Sequence, residues 1–270
     1  MSGSVLRRTR PATLWIGPRL SVLEQLCLTS LVRHGMSPVL FCYEPVEGVP
    51  DGVEVRDATV ILPASRIFLN EERGSYAPFS DVFRYTMLRD TDLYWVDADV
   101  YAVKPFVFDS GYFLARIEPR VGIGVLSLPK SSPSLAALLD AAQAPRADLP
   151  WLRRTRAAIG DHAREDGTVP IEKLPYKALG PMALHWLLKR HGEMEHVLPE
   201  ATHYPLSPRH ILRPRPKAER LVAEADPMSV HLYGSVQHRL LREAGRDEID
   251  PATYLGGLLQ KDGFALTLYS

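Results

Sequence analysis

Apolar residues in the first half of the chain follow two patterns. Short continuous runs between turn residues predict buried strands, whereas apolar positions three or four residues apart predict helices. The predicted strands cover 13–16, 39–43, 53–55, 93–96, 112–117 and 121–128, and the predicted helices cover 20–33, 77–89 and 134–144. The alternation of strand and helix predicts an α/β fold with a central, mostly parallel sheet.

The pattern weakens beyond about residue 145. Helices are predicted at 150–158, 181–189 and 251–260 and a short strand at 230–233, while the proline-rich segment 199–216 is expected to be irregular. Gly180 is expected to cap the second helix and Pro181 to open it, since the first helical position needs no N–H. No linker interrupts the chain, which predicts one domain over 1–270 with a helical, loop-rich second half.

Composition and charge narrow the functional class. Lysine plus arginine and aspartate plus glutamate both number 32, and this balance argues against a nucleic-acid binder. No apolar run approaches the roughly 20 residues of a membrane span, and the apolar run behind the basic start is too short for a signal peptide. Cys27 and Cys42 are too few for a disulfide framework or a zinc cluster. We expect a cytoplasmic enzyme that could contact the inner face of the membrane peripherally.

Asp97 and Asp99 follow directly on the apolar run 93–96. Open α/β sheets bind ligands beyond the carboxyl ends of their strands. Two neighbouring carboxylates repel each other, and a divalent cation that prefers oxygen ligands, Mn²⁺ or Mg²⁺, would compensate them. Such a cation can hold a diphosphate and neutralise its charge as it leaves. Two solvated turn carboxylates are the alternative interpretation.

Asp81 and Arg84 are neighbours on one face of the predicted helix 77–89, among strongly apolar positions. A buried carboxylate and guanidinium suit a ligand rich in hydroxyl groups, because one accepts and the other donates hydrogen bonds. An internal salt bridge explains the same spacing equally well.

Three groups of residues together resemble glycosyltransferases with a DXD sugar-binding motif. In chain order they are Trp15-Ile16-Gly17, Ala77-x-x-Ser80-Asp81-x-x-Arg84 and Trp95-Val96-Asp97-Ala98-Asp99. That group includes bacterial polysaccharide hexosyltransferases and the yeast initiating mannosyltransferase, and clostridial glucosylating toxins look like distant relatives. The resemblance covers most of 13–235. It implies a GT-A fold, a nucleotide-sugar donor such as a UDP-hexose, a divalent metal and retention of anomeric configuration.

The resemblance also implies residue roles on the donor side. Trp15 would stack on the nucleobase, and Ile16 and Gly17 would approach the nucleotide. Asp81 and Arg84 would hold hydroxyls of the donor sugar, with Arg84 counted among the catalytic candidates. Donor binding would thus involve the core at about 13–130, with the acceptor side at about 131–270.

The remaining implied roles concern the metal and the diphosphate. Asp99 would ligate the metal, and Asp97 would contact the metal, a metal-bound water or the ribose. His231 matches the place of a third ligand, and a neutral imidazole suits Mn²⁺. Ser235 would contact the diphosphate.

The chain departs from the family pattern at one place. The family usually has Gly-Gly before the DXD strand, where this chain has Thr91-Asp92.

The proline-spaced basic segment 209–220 is interpreted as a solvated loop, with closure over the donor as the alternative.

We therefore expect a metal-dependent retaining hexosyltransferase that acts on a glycan or glycolipid acceptor, and the bacterial members of the group suggest polysaccharide or lipopolysaccharide synthesis. A phosphohydrolase of the haloacid dehalogenase type, with Asp97 as nucleophile, is the alternative. Against it, 96 residues precede the motif, which normally opens the chain, and no downstream acidic pair is evident. A catalytically silent carbohydrate-binding module ranks last, because paired carboxylates without a metal suit a neutral sugar poorly.

Overall fold

The computed structural model describes residues 10–146, 148–153 and 159–269. Its central sheet has five strands in the order β3-β2-β1-β4-β8, of which the first four are parallel and β8 is antiparallel. The strands are β1 Arg10–Trp15, β2 Val39–Cys42, β3 Glu54–Asp57, β4 Leu93–Val96, β5 Val100–Ala102, β6 Arg116–Ile117, β7 Arg120–Val121, β8 Val125–Leu126 and β9 Ser229–His231. The predicted α/β class with a mostly parallel sheet is confirmed.

Eight α-helices lie within the described ranges. They are α1 Val22–Arg33, α2 Ala77–Asp90, α3 Pro133–Gln143, α4 Ala183–His191, α5 Pro208–Ile211, α6 Arg215–Ala225, α7 Gly234–Glu243 and α8 Tyr254–Asp262. None of these helices is both long and apolar enough to span a bilayer.

Helix α2 is buried along almost its whole length, because it packs between the sheet and α3. Phe83 contacts Phe41 of β2 and Trp95 of β4 with ring centroids 5.5 and 6.3 Å apart. This packing carries the polar residues Asp81 and Arg84 into the interior, where they are 4% and 3% exposed.

The strands predicted at 112–117 and 121–128 are shorter than expected. Their adjoining ends form the β6–β7 hairpin, with Glu118 and Pro119 between the two strands. Beyond the hairpin, Phe113 and Ser127 still exchange backbone hydrogen bonds, while β8 also pairs with β4 on its other side. The apolar residues at 113–115 and 124–128 are buried, which explains their continuous apolar character in the sequence.

The second half departs further from the sequence prediction. Gly180 and Pro181 do not open α4, because they lie in a preceding π-type turn, Ala178–Met182, in which Gly180 has non-helical φ and ψ of −91° and −121°. The strand predicted at 230–233 is Ser229–His231, and α7 is not predicted at all. Of the helix predicted at 150–158, Pro150–Leu152 forms a 3₁₀ turn, and residues 154–158 lie outside the described ranges.

The prediction of an irregular segment at 199–216 is confirmed only in part, because 208–211 and 215–216 are helical, and the prediction of a basic loop at 209–220 is wrong for most of its length. Pro208 and Pro216 occupy the first turns of α5 and α6. Proline is well tolerated there, since the first N–H groups of a helix have no partner within it. Pro208 and Pro216 therefore start helices, and three of the six Arg, Lys and His residues of 209–220, namely Arg215, Lys217 and Arg220, lie on α6. The single domain divided at about residue 130 stays a prediction.

Candidate functional site

A cavity of about 470 Å³ opens over the carboxyl ends of β1 and β4. Residues from both halves of the chain line it. They include Trp15, Ser80, Asp81, Arg84, Asp97, Asp99, Gly124, Tyr176, Tyr204, His231, Gly234, Ser235 and His238. The place agrees with the rule for ligand binding in open α/β sheets.

Asp97 is held at the end of β4 by contacts to both its backbone and its side chain. Its N–H donates to the Gly124 carbonyl at 2.6 Å, and its Oδ1 accepts from Trp95 Nε1 at 2.6 Å. Arg84 lies 3.3 Å from the same oxygen. Burial alone raises the pKa of Asp97, but Arg84, His231 and Trp95 together lower it below its usual value. Asp97 is thus fixed as a carboxylate with Oδ2 directed at His231.

His231 reaches the two aspartates through strand pairing. Strand β5 begins directly after Asp99, and its Val100 pairs with His231 of β9. His231 Nε2 lies 3.3 Å from Asp99 Oδ1 and 3.6 Å from Asp97 Oδ2. One ligand atom from each of the three side chains lies within 4.8 Å of the other two. The residues predicted as metal ligands therefore come together.

The donor set suits a divalent cation, because it combines two carboxylates with an imidazole. Burial lowers the pKa of His231, but Asp99 and Asp97 raise it above its usual value overall. Its Nδ1 accepts from the Tyr233 N–H at 3.2 Å, so the neutral ring carries its proton on Nε2, facing the carboxylates. A cation at Nε2 would require the proton of the neutral ring to move to Nδ1, at the expense of the hydrogen bond from the Tyr233 N–H. Because the raised pKa favours the doubly protonated ring, which must lose a proton before it can bind, metal affinity would rise with pH.

Asp81 and Arg84 line the same cavity next to Asp97. Arg84 Nη2 is 3.4 Å from Asp81 Oδ1, Nη1 donates to the Ile123 carbonyl at 2.7 Å, and Cζ lies 4.6 Å from the centroid of the Trp95 ring. Burial, opposed by Arg84, raises the pKa of Asp81 to about 7. The predicted alternative of an internal ion pair is thus realised, on the wall of the cavity where a ligand can also reach it.

The Trp15-Ile16-Gly17 motif is only partly placed at the cavity. Trp15 lines it and donates from Nε1 to the Arg19 carbonyl at 3.2 Å. Gly17 has φ of +147°, a value that favours glycine. Among the described residues, neither Ile16 nor Gly17 belongs to the cavity lining, and Ile16 packs against the core instead.

Helix α7 brings Ser235 to the cavity beside the aspartates. The Gly234 N–H donates to Asp99 Oδ2 at 2.7 Å. Ser235 follows in the first helical turn and lines the cavity. All nine residues predicted for the site are thus located, and seven of them line one cavity.

Comparison with known proteins finds a match in structure but none in sequence. No protein-family profile matches the chain, and no curated protein sequence matches it. Among solved structures, the chain is similar to one titled PaToxG Glycosyltransferase, with 16% identity and a TM-score of 0.45 over 69% of this chain and 70% of that one. A likeness at this level carries no conclusion about function.

Sequence reasoning missed the glycines that let the site assemble. A Cβ on Gly124 would lie 2.8 Å from His231 Cδ2, and one on Gly180 would lie 2.5 Å from Asp81 Oδ2. A Cβ on Gly122 would meet the Tyr204 ring at 2.4 Å. The spacing Gly122-x-Gly124 inside a predicted strand is a signal of close approach by another group, and it was available from the sequence.

Proposed function

We propose that this protein is a metal-dependent glycosyltransferase with a GT-A fold. It transfers a hexose from a UDP-sugar to a hydroxyl of a glycan or glycolipid and retains the anomeric configuration. Its setting is polysaccharide or lipopolysaccharide synthesis in the cytoplasm, with peripheral contact to the inner face of the membrane. The specific donor, the stereochemistry and the setting follow the family resemblance of the sequence motifs.

One observation carries the proposal. Asp97, Asp99 and His231 converge on one point, and the buried Asp81–Arg84 pair lines the same cavity. A charged diphosphate and a neutral sugar are joined in one donor molecule, and the cavity offers an environment suited to each. Convergent polar groups in a large cavity are the usual mark of a binding site.

Different side chains of the cavity contact different parts of the donor molecule. When bound, a divalent cation supplies neutralisation of the diphosphate charge that grows as the sugar bond breaks. Asp97 and Asp99 hold that cation, with His231 as the third ligand. Asp81 accepts from hexose hydroxyls and Arg84 donates to them. Trp15 offers a flat surface to the nucleobase, and Ser235 faces the diphosphate.

The alternative phosphohydrolase gains no support from the arrangement. Its nucleophile would be Asp97, whose Oδ1 is already engaged by Trp95 and Arg84. Within the described residues, the group of possible metal ligands that includes Asp97 has only two other members, Asp99 and His231. A second acidic pair for Mg²⁺ is therefore not found in that group.

The test is release of free nucleotide from a panel of nucleotide sugars, measured with Mn²⁺ and with EDTA. We expect slow release of UDP from one UDP-hexose with Mn²⁺ only, and a thermal shift for that donor, because a ligand that binds only the folded state stabilises it. Hydrolysis of an aryl phosphate with Mg²⁺, without turnover of any nucleotide sugar, would establish the phosphohydrolase instead.

A further inference from the structure

A buried polar cluster lies behind Asp99, outside the ligands described above. It consists of Ser21, Glu24 and His238, and joins the first turn of α1 to α7. His238 Nε2 lies 3.1 Å from Ser21 Oγ and 3.5 Å from Glu24 Oε1. Ser21 and Glu24 are 0% and 3% exposed. Such groups are costly to bury unless each is hydrogen-bonded.

The Ser21 hydroxyl uses its full hydrogen-bonding capacity within the cluster. Its hydroxyl donates to Glu24 Oε2 and accepts from the Leu23 N–H at 3.2 Å. A hydroxyl has one proton and two lone pairs, so the lone pair that remains accepts from His238 Nε2–H. The Ser21 N–H also donates to Glu24 Oε2, at 3.0 Å, which completes a capping box on α1. His238 is thus bound to a rigid helix start.

Gly234 connects this cluster to Asp99. It lies one helical turn before His238, so both are on the same face of α7. A Cβ on Gly234 would lie 3.2 Å from Glu24 Oε1 and 3.2 Å from Asp99 Cβ, so Gly234 sits in close contact between the two. Its N–H is the donor to Asp99 Oδ2. Preceding it, Tyr233 has φ of +55° although it is not glycine, a conformation that surrounding contacts must hold.

We infer that Ser21, Glu24 and His238 are positioning residues that hold the first turn of α7 against Asp99. They act through the Gly234 N–H, which fixes the orientation of the Asp99 carboxylate, and through Ser235, which they keep at the cavity. The fixed orientation is a property of the fold itself. Its consequence for cation binding rests on the proposed function, in which Asp99 is a metal ligand.

The first measurement is amide hydrogen exchange at Gly234 in the full chain, followed by NMR. We expect exchange in His238→Ala to be at least tenfold faster than in the wild type, while the amide of Trp95 in the central sheet keeps its rate. His238→Gln should restore slow exchange, because its side-chain N–H can donate to Ser21. The matched control is Arg239→Ala, an exposed neighbour on α7 paired with Glu243. Unchanged exchange at Gly234 in His238→Ala would overturn the inference.

The second measurement is Mn²⁺ affinity of the same variants, followed by electron paramagnetic resonance. Since partners of metal ligands change metal affinity about 10- to 100-fold, we expect at least a tenfold loss in His238→Ala, recovered in His238→Gln. Faster exchange with unchanged affinity would refute the link to the cation. If the wild type binds no Mn²⁺, the proposed function fails while the exchange data still decide the positioning role. If His238→Ala does not fold, His238→Gln and Ser21→Ala decide both measurements by the same criteria.

Discussion

The proposed function divides the cavity lining into a cation end (Asp97, Asp99 and His231) and a sugar end (Asp81 and Arg84), and these two groups handle charge in opposite ways. At the cation end, Asp97 and Asp99 keep 25% and 19% of their side chains exposed, and only a partly exposed imidazole faces them both. At the sugar end, Asp81 and Arg84 are 5% and 4% exposed and form their own ion pair. One end carries excess negative charge toward the cavity, whereas the other is almost balanced.

This difference indicates what each end can bind. Two neighbouring carboxylates that face a cavity with less than matching positive charge favour an external cation. A buried ion pair instead offers hydrogen bonds to neutral hydroxyls without requiring a counter-ion. Arg84 connects the ends, since its Nη2 lies 3.4 Å from Asp81 and 3.3 Å from Asp97. A change at one end should therefore leave the other intact unless it involves Arg84.

The largest expected effect comes from removing charge at the cation end. Asp99→Ala should lower nucleotide-sugar turnover about a thousandfold, because a bound metal supplies several kcal/mol of charge stabilisation at the transition state. The sugar end should keep its ion pair, but the unfolding temperature should fall, because the buried Gly234 N–H loses its acceptor. Turnover with Mn²⁺ and thermal melting measure the two expectations.

Asp92→Ala is the matched control for that experiment. Asp92 immediately precedes β4, and its exposed carboxylate pairs with Lys130. Near-wild-type turnover in Asp99→Ala would mean that the cation end does not take part in catalysis. The difference in charge between the two ends would then have no bearing on function.

The next effect concerns stability and arises where the ends meet. Arg84→Ala leaves Asp81 without its partner in the interior, and breaking a buried pair costs about 3–5 kcal/mol. We expect the free energy of unfolding, measured with urea, to fall by about 3 kcal/mol. Nucleotide binding should survive, while discrimination between hexoses weakens.

Arg89→Ala on the same helix is the control, because Arg89 pairs with Asp90 at the surface and such pairs contribute at most about 1 kcal/mol. Equal losses of stability in the two variants would show that burial does not distinguish the sugar end. Unchanged hexose preference in Arg84→Ala would remove its proposed contact with the donor.

A third effect depends on pH and belongs to the Ser21–Glu24–His238 cluster behind the cation end. Burial, aided by Asp99, raises the pKa of Glu24 from 4.5 to about 7. The neutral carboxyl therefore contributes its full stability below about pH 4.5, and this contribution is lost as the pH rises through 7. Glu24→Gln stays neutral and can keep the capping box. Between pH 4 and 8 the wild type should lose about 3 kcal/mol more stability than the variant; parallel pH profiles would show that Glu24 carries no such penalty.

Sequence alone predicts the β1–β4 core well, together with the Asp97–Asp99 and Asp81–Arg84 pairs. These features depend on local patterns: apolar runs mark the buried strands, and Asp97 and Asp99 follow one of them directly. The helical spacing of Asp81 and Arg84 likewise needs no distant partner. A parallel α/β sheet then fixes which strand ends meet, so most of the cavity follows from the order of elements.

The second half of the chain is harder to predict because its contributions depend on long-range pairing. His231 reaches Asp99 only because β9 pairs with β5, and nothing near His231 in the sequence specifies that register. Gly180 was expected to cap a helix, yet its lack of a side chain serves Asp81, about a hundred residues earlier. A glycine in the sequence can indicate that another segment approaches closely, but it does not indicate which segment.

Those glycines give the smallest and most specific test of the comparison. In Gly124→Ala the new Cβ would lie 2.8 Å from His231 Cδ2 and 3.2 Å from Asp97 Oδ2. In Gly180→Ala it would lie 2.5 Å from Asp81 Oδ2. Each distance requires a neighbour to move by a few tenths of an ångström or more, and displacement of a site residue on the ångström scale can cost up to about a hundredfold in rate.

We expect Gly124→Ala to weaken Mn²⁺ binding about tenfold, by analogy with changes next to metal ligands. Gly180→Ala should bind Mn²⁺ as the wild type does but turn over the donor about tenfold more slowly. Gly160→Ala is the control, because a Cβ there meets nothing within 4 Å. Equal loss of Mn²⁺ affinity in Gly124→Ala and Gly180→Ala would show that the two ends respond as one unit, with Arg84 transmitting the change between them.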